Sequence, residues 1–160
     1  MSLIVTTGQS VRFEYKNTGY QQNTIDQFSG IVYQSIESID AFGNIKQFKA
    51  GNDVSTINSY DNLGRVTNIS TQYFSTNIQN LSYVYDTVGN LKSREDARDL
   101  SNVFYEEFAY DGVSRLKIVK AQTGAASLTQ TMSFSYDAAG KDKQLQWQSL
   151  WLYFRPCAWC

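Results

Sequence analysis

Four times in 160 residues the chain writes a tyrosine followed by an aspartate, at Tyr60-Asp61, Tyr85-Asp86, Tyr110-Asp111 and Tyr136-Asp137. The tyrosines stand 25, 25 and 26 residues apart, and three of the copies reach a glycine three residues after the aspartate, at Gly64, Gly89 and Gly140. The remaining copy has Ser114 in that place. A fixed period of this size is the mark of a repeat architecture, in which each unit leans on its neighbours and a surface is built by repetition. Such a chain is expected to act as a surface or a wall, not through a catalytic cluster.

The residues ahead of each tyrosine alternate with the period of two that a half-buried strand requires. Met132, Phe134 and Tyr136 share one face, with Thr131, Ser133 and Ser135 on the other. Leu81, Tyr83 and Tyr85 repeat the pattern, as do Phe108 and Tyr110. A second short run follows each turn, at 65–69, 90–94 and 115–119, and also reads as a strand. One repeat is therefore strand, Asp-x-x-Gly turn, strand and return loop. The aspartate carboxylate accepts from amides just ahead of it, closing an Asx-type turn, and the glycine supplies the positive φ that a side chain resists. The tyrosine before the turn can bury its ring and keep its hydroxyl paired at the rim.

The same frame picks out two weaker copies upstream. Val11 to Tyr15 alternates and reaches Gly19, with Lys16 in place of the aspartate, and Ile39-Asp40 reaches Gly43 with isoleucine in place of the tyrosine. Gly51-Asn52-Asp53-Val54 reads as a return turn into the strand ending at Tyr60. A lone two-stranded hairpin is marginal in water, so the units must share a continuous sheet. The expected fold is all-β: stacked antiparallel hairpins in an open, curved sheet, covering residues 1–140. The tyrosine ladder is expected to lie in an interlayer core.

Composition removes most other functions. Net charge is −1 with no concentration of Lys or Arg, so neither nucleic acid nor an anionic membrane is an expected partner. No apolar stretch approaches a membrane span, and the start, Met1 to Thr7, lacks the basic and apolar regions of a secretory signal. These features leave the compartment open. Histidine is absent, which removes the commonest general base and zinc ligand. No nucleophile–base pair, phosphate loop or cofactor motif is present, so no catalytic, cofactor or metal residue is assigned.

Three patterns resemble chemistry and read better as structure. Glu95-Asp96 and Glu106-Glu107 are adjacent on strands and so point to opposite faces, unlike a glycosidase dyad across a cleft. The turn aspartates match the spacing of neither an EF-hand nor a glycine-rich calcium repeat, and turn capping explains them. Cys157-Ala158-Trp159-Cys160 is a CxxC without a second pair or a following helix, which favours an adventitious tail over a redox or zinc site. An exposed tyrosine ladder would stack sugar rings, so a carbohydrate- or protein-binding surface is the alternative function.

The motif Tyr-Asp-x-x-Gly-Arg/Asn-Leu/Val at this spacing resembles the YD repeat of Rhs proteins, of the B and C components of insecticidal Tc toxin complexes, and of teneurins. Tyr60 to Thr67 and Tyr85 to Lys92 carry it most fully. The resemblance covers roughly residues 11–140. It implies a spiralling β-sheet shell that encloses a C-terminal polypeptide, often a toxin, in a secreted or cell-surface parent. The partners it implies are further repeats or that toxin cargo. The segment rich in Asp-Pro and Gly that closes the shell in Rhs proteins has no counterpart here, so the chain reads as a fragment of such a wall.

After Gly140 the motif lapses into Lys141-Asp142-Lys143, and all three Trp, both Cys and the single Pro fall between Trp147 and Cys160. Residues 141–160 are expected to be a poorly ordered, non-repeat tail arising from a frameshift or truncation of a longer repeat gene.

Overall fold

A computed structural model of the chain describes residues 2–4, 10–124 and 130–149. It divides into two compact units, Met1–Leu81 and Ser82–Cys160. The first holds β1 (Ser2–Ile4), β2 (Ser10–Tyr15), β3 (Gln21–Asp26), β4 (Val32–Ile39), β5 (Ile45–Ala50), β6 (Val54–Tyr60), β7 (Val66–Tyr73) and the start of β8 (Thr76–Tyr85). The second takes the end of β8, then β9 (Leu91–Asp96), β10 (Phe104–Tyr110), β11 (Leu116–Thr123), β12 (Gln130–Tyr136) and β13 (Asp142–Ser149).

Within each unit every strand pairs with those before and after it in the chain, so each is an open meander of antiparallel hairpins with no crossover. The all-β expectation and the hairpin order are both met. No helix long and apolar enough to cross a membrane occurs among the described residues. The short loops leave no room for a crossover, which needs a dozen residues or more.

The strands carry a recurrent irregularity that locates the motif. In five hairpins that carry the motif the pairing skips one residue on the second strand, opposite the end of the first; the β3–β4 hairpin, outside the motif, skips Tyr33 in a similar way. Ser59 pairs Asn68 but Tyr60 pairs Val66, leaving out Thr67. Ala109 pairs Ile118 but Tyr110 pairs Leu116, leaving out Lys117. Gln22, Lys46 and Lys143 are left out in the same way, each seven residues after Tyr15, Ile39 or Tyr136. A bulge of this kind sharpens the local twist and re-aims the side chain beside it. Here it falls beside the motif tyrosine, or beside Ile39 in its place.

Burial is shallow. Among the described residues the buried hydrophobics are Ile25 and Ile36, in the first unit, and the buried polar residues are Ser10 and Thr56 in the first unit and Ser93 in the second. Ile36, Phe48, Thr56 and Thr71 lie side by side across β4 to β7, where the two threonine hydroxyls meet at 3.0 Å. The sequence reading placed the tyrosine ladder between layers, and the structure differs. Tyr60, Tyr110 and Tyr136 are half-buried, because in each unit the described strands make one sheet. A ring on a single sheet can be covered only by its neighbours in that sheet.

The return turn anticipated at 51–54 joins β5 to β6, with the Asp53 amide bonded to the Ala50 carbonyl at 3.0 Å. Gly51 sits so close to β4 that a Cβ would run into the Val32 carbonyl oxygen. Its amide donates to the Tyr33 carbonyl at 2.8 Å. The glycine is there for close approach of two backbones, not for turn geometry.

The boundary expected after residue 140 falls inside the β12–β13 hairpin. β13 pairs with β12 from Gln130↔Ser149 to Tyr136↔Asp142, with the same bulge as the other hairpins. Residues 142–149 of the expected tail are thus a strand. The turn before them still closes through backbone and carboxylate, although the motif residue after Gly140 has changed. Cys157 and Cys160 lie outside the described residues.

Candidate functional site: the tyrosine–aspartate turns

Six turns share one set of backbone hydrogen bonds. The amide of the residue after the tyrosine (after Ile39 in one turn) donates to the carbonyl four residues on, and the glycine amide, or that of Ser114 in the Asp111 turn, donates back to that first residue's carbonyl. The distances are 2.9 and 3.0 Å at Asp61, 2.9 and 3.2 Å at Asp86, 2.9 and 3.1 Å at Asp111, and 2.9 and 3.0 Å at Asp137. Asp40 gives 2.9 and 3.2 Å, and Lys16 gives 3.0 and 2.8 Å. The weak copies at Tyr15 and Ile39 are therefore the same turn. Where aspartate is missing, the Lys16 ammonium instead stands 5.4 Å from the centre of the Tyr20 ring.

Aspartate completes the turn with its carboxylate. Asp61 Oδ1 accepts from the amides of Leu63 and Arg65 at 2.9 and 3.0 Å, and Oδ2 from Arg65 Nε at 2.7 Å. Asp111 repeats this with Val113, Arg115 and Arg115 Nε at 3.0, 3.0 and 2.7 Å. At Asp40 and Asp86 the Oδ2 donor is the amide side chain of Asn44 or Asn90, at 2.9 and 3.0 Å. The Arg/Asn position of the motif thus has a local task, to saturate the second carboxylate oxygen. Asp137 binds the amides of Ala139 and Lys141, both at 2.9 Å.

These bonds favour the ionised form. Asp61 and Asp111 titrate below the ordinary carboxylate range, chiefly through the Arg65 and Arg115 amides, and Asp40 chiefly through the Asn44 side chain. At Asp86 desolvation pushes upward, and the Asn90 side chain and the turn amides outweigh it. A separate Asx turn in the β3–β4 loop holds Asp26 at about 2, first through the Ser29 amide and then through the Tyr33 hydroxyl, which donates at 2.9 Å.

The tyrosines link one repeat to the one before. The Tyr60 hydroxyl donates to the Ile45 carbonyl at 2.8 Å, Tyr110 to Leu91 at 2.9 Å and Tyr136 to Leu116 at 2.6 Å. Each acceptor opens the strand that follows the preceding turn, two residues past Gly43, Gly89 or Ser114. Desolvation raises the pKa of Tyr110, and the nearby Asp86 charge adds to it. The Arg115 guanidinium lies 4.5 Å from the centre of the Tyr136 ring while its Nε holds Asp111, so one side chain joins two repeats.

Ser114 adopts φ 61°, where the other turns have glycine. A non-glycine residue in this region is strained by about 1 kcal/mol or more. Ser114→Gly is accordingly expected to raise stability by about 0.5–1 kcal/mol, net of the 3.3 Å bond from Asn90 Nδ2 to its hydroxyl. A urea midpoint at or below that of the parent chain would contradict this.

The sequence-predicted residues fall into two sets. Each turn brings together its own Asp and Gly or Ser, and the tyrosines reach across to the preceding hairpin. No turn gathers a catalytic constellation. Glu106 pairs with Arg94 Nε at 2.7 Å and Glu107 accepts from the Tyr105 hydroxyl at 3.2 Å, on opposite faces of β10. Among the described residues no three His, Cys, Asp or Glu side chains gather in a metal-holding group. Sequence reasoning missed the carbonyl that each tyrosine caps and the carboxylate that Arg65, Asn90 and Arg115 close. The recurrence of Arg or Asn after the glycine was the available signal.

No protein-family model and no curated protein matches the sequence. Solved structures do match the fold. The crystal structure of TcdB2-TccC3-Cdc42 superposes with a TM-score of 0.78 at 22% identity, over 89% of this chain and 8% of that one. A Photorhabdus luminescens Tc holotoxin pore gives 0.81 at 22% identity, over 94% and 8%. TcdB2-TccC3 gives 0.77 at 22%, over 89% and 8%. The chain therefore has the fold of a short segment of Tc toxin chains, of whose length it spans 8%.

Proposed function

We propose that the chain is a non-enzymatic structural module, a stretch of repeat wall of the Rhs and Tc type that helps enclose or present a C-terminal polypeptide. The observation that carries this reading is the repeat-to-repeat bond from the hydroxyls of Tyr60, Tyr110 and Tyr136 to the backbone of the preceding hairpin. The carboxylates of Asp40, Asp61, Asp86 and Asp111 and the hydroxyls of Tyr60, Tyr110 and Tyr136 are all engaged within the sheet, to cap, close or staple. Tyr60, Asp61, Gly64, Tyr85, Asp86, Gly89, Tyr110, Asp111, Tyr136, Asp137 and Gly140 serve as structural residues. Residues up to the last turn form the repeat region, and the partners are further repeats and the enclosed chain. The wall belongs to a secreted or cell-surface parent. Its likeness in fold to Tc toxin chains supports the proposal.

A chimaera tests it. Residues 10–149 replace the matching segment of TcdB2-TccC3, and protease resistance of the C-terminal region of TccC3 is followed. A correctly sized complex that protects this region as the parent does is the expected result. A correctly sized complex that lets protease in would sink the wall reading. Glycan-dependent changes in the tyrosine fluorescence of the isolated chain would instead favour a sugar-binding surface. That reading rests on the partial exposure of the ladder.

A further inference from the structure

On β10 the Tyr105 hydroxyl donates to Glu107 Oε1 at 3.2 Å, two residues along the same face, so the half-exposed ring leans along the strand. Tyr110 belongs to the other face by the same alternation. Strand pairing sets Gln122 opposite Tyr105 and Lys120 opposite Glu107. Opposite charges at such a cross-strand position attract. Here the Glu107 carboxylate takes the tyrosine hydroxyl and forms no ion pair with Lys120. The exposed side chains of Lys120 and Gln122 have no partner among the described residues.

A cavity of about 110 Å³ lies between these groups, lined by Tyr105, Glu107, Lys120 and Gln122. It shares Tyr105 and Gln122 with a cavity of about 280 Å³ beside Leu100 and Val103. It shares Glu107 and Lys120 with one of about 220 Å³ over Ala109 and Ile118. Together they make a groove along the β10–β11 seam, roughly 13 Å long from Gln122 to Ile118.

The chemistry of the groove selects its ligand. A carboxylate and an ammonium face each other across it unbonded, and one hydroxyl can donate to the first while accepting from the second. A phosphate or sulfate would be repelled by Glu107, and a cationic group by Lys120. An extended peptide takes its main-chain hydrogen bonds from a strand edge, whereas the amides and carbonyls of β10 and β11 pair along this seam with each other. The leaning ring, with Leu100 and Val103 beside it, offers an apolar wall next to convergent polar groups. We propose that this groove binds a neutral oligosaccharide, one sugar ring lying against Tyr105 while its hydroxyls bridge Glu107 to Lys120 and reach Gln122. The site uses no residue of the tyrosine–aspartate turns and does not rest on the wall reading.

Amide chemical-shift titrations of the full chain with cellohexaose, maltohexaose and mannohexaose test it. Binding of at least one of them, weakened about tenfold or more in Tyr105→Ala, is the expected result. No binding of any of the three overturns the proposal. So does tighter binding of a heparin hexasaccharide, which would make the lysines a polyanion site. Undiminished binding in Tyr105→Ala also overturns it, since the tyrosine ladder would then hold the sugar. Should Tyr105→Ala lose its β-sheet circular dichroism, Lys120→Ala is read by the same criteria. A sugar signal that disappears with Tyr105 leaves the ladder and the chimaera result untouched, so the two readings fail separately.

Discussion

Tyr110→Ala is expected to lower the stability of the second unit by about 2–4 kcal/mol, and Tyr110→Phe by about 1 kcal/mol. The difference between the two separates ring from hydroxyl. Full burial of a large aromatic makes its removal cost about 3–5 kcal/mol, and the half-buried position of Tyr110 brings the figure down. The phenylalanine variant keeps the ring and removes only the 2.9 Å bond to the Leu91 carbonyl. Urea midpoints of the three proteins check both numbers. Equal losses in the two variants would show that the hydroxyl staple alone matters. A loss below about 1 kcal/mol for alanine would mean that the ring contributes nothing to the sheet and stands free for a ligand.

Acid is expected to dissolve the turns together. Asp26, Asp40, Asp61, Asp86 and Asp111 all titrate lower in the folded chain than an ordinary aspartate. A carboxylate with a depressed folded-state pKa contributes stability that is present above its unfolded pKa. That stability is lost as pH falls through the folded value. The urea midpoint should therefore hold steady down to about pH 4. It should then fall steeply toward pH 2, the last contribution to go being that of Asp26 at about 2. Asp111→Asn keeps an Oδ1 acceptor for the amides of Val113 and Arg115 but removes the charge that Arg115 holds. This variant should start less stable at neutral pH and lose less on acidification. An acid transition of unchanged depth in Asp111→Asn would assign the pH dependence elsewhere.

Much of the fold was legible because each repeat states it locally. Alternation before Tyr85, Tyr110 and Tyr136 marks strands, and Asp with Gly or Ser marks turns that six segments realise with the same two backbone bonds. Even the degenerate copies at Lys16 and Ile39 follow, since the turn depends on backbone geometry more than on either signature residue. The end of the repeat was less legible. Lys141 looked like its loss, yet β13 pairs onward with the usual bulge. Its amide still reaches the Asp137 carboxylate at 2.9 Å without an Arg or Asn side chain.

By itself the sequence determined the period, the strand–turn–strand unit, the aspartate and glycine positions of the turns and the all-β class. These depend on contacts within a few residues, which a local pattern can encode. Only the tertiary structure decided where each tyrosine hydroxyl lands, which residue is bulged out beside it, and that the rings are half-covered instead of sealed between layers. The hydroxyl bonds join residues 15 to 20 positions apart on different hairpins, as in Tyr60 to Ile45 and Tyr136 to Leu116, and the bulges depend on the register between paired strands.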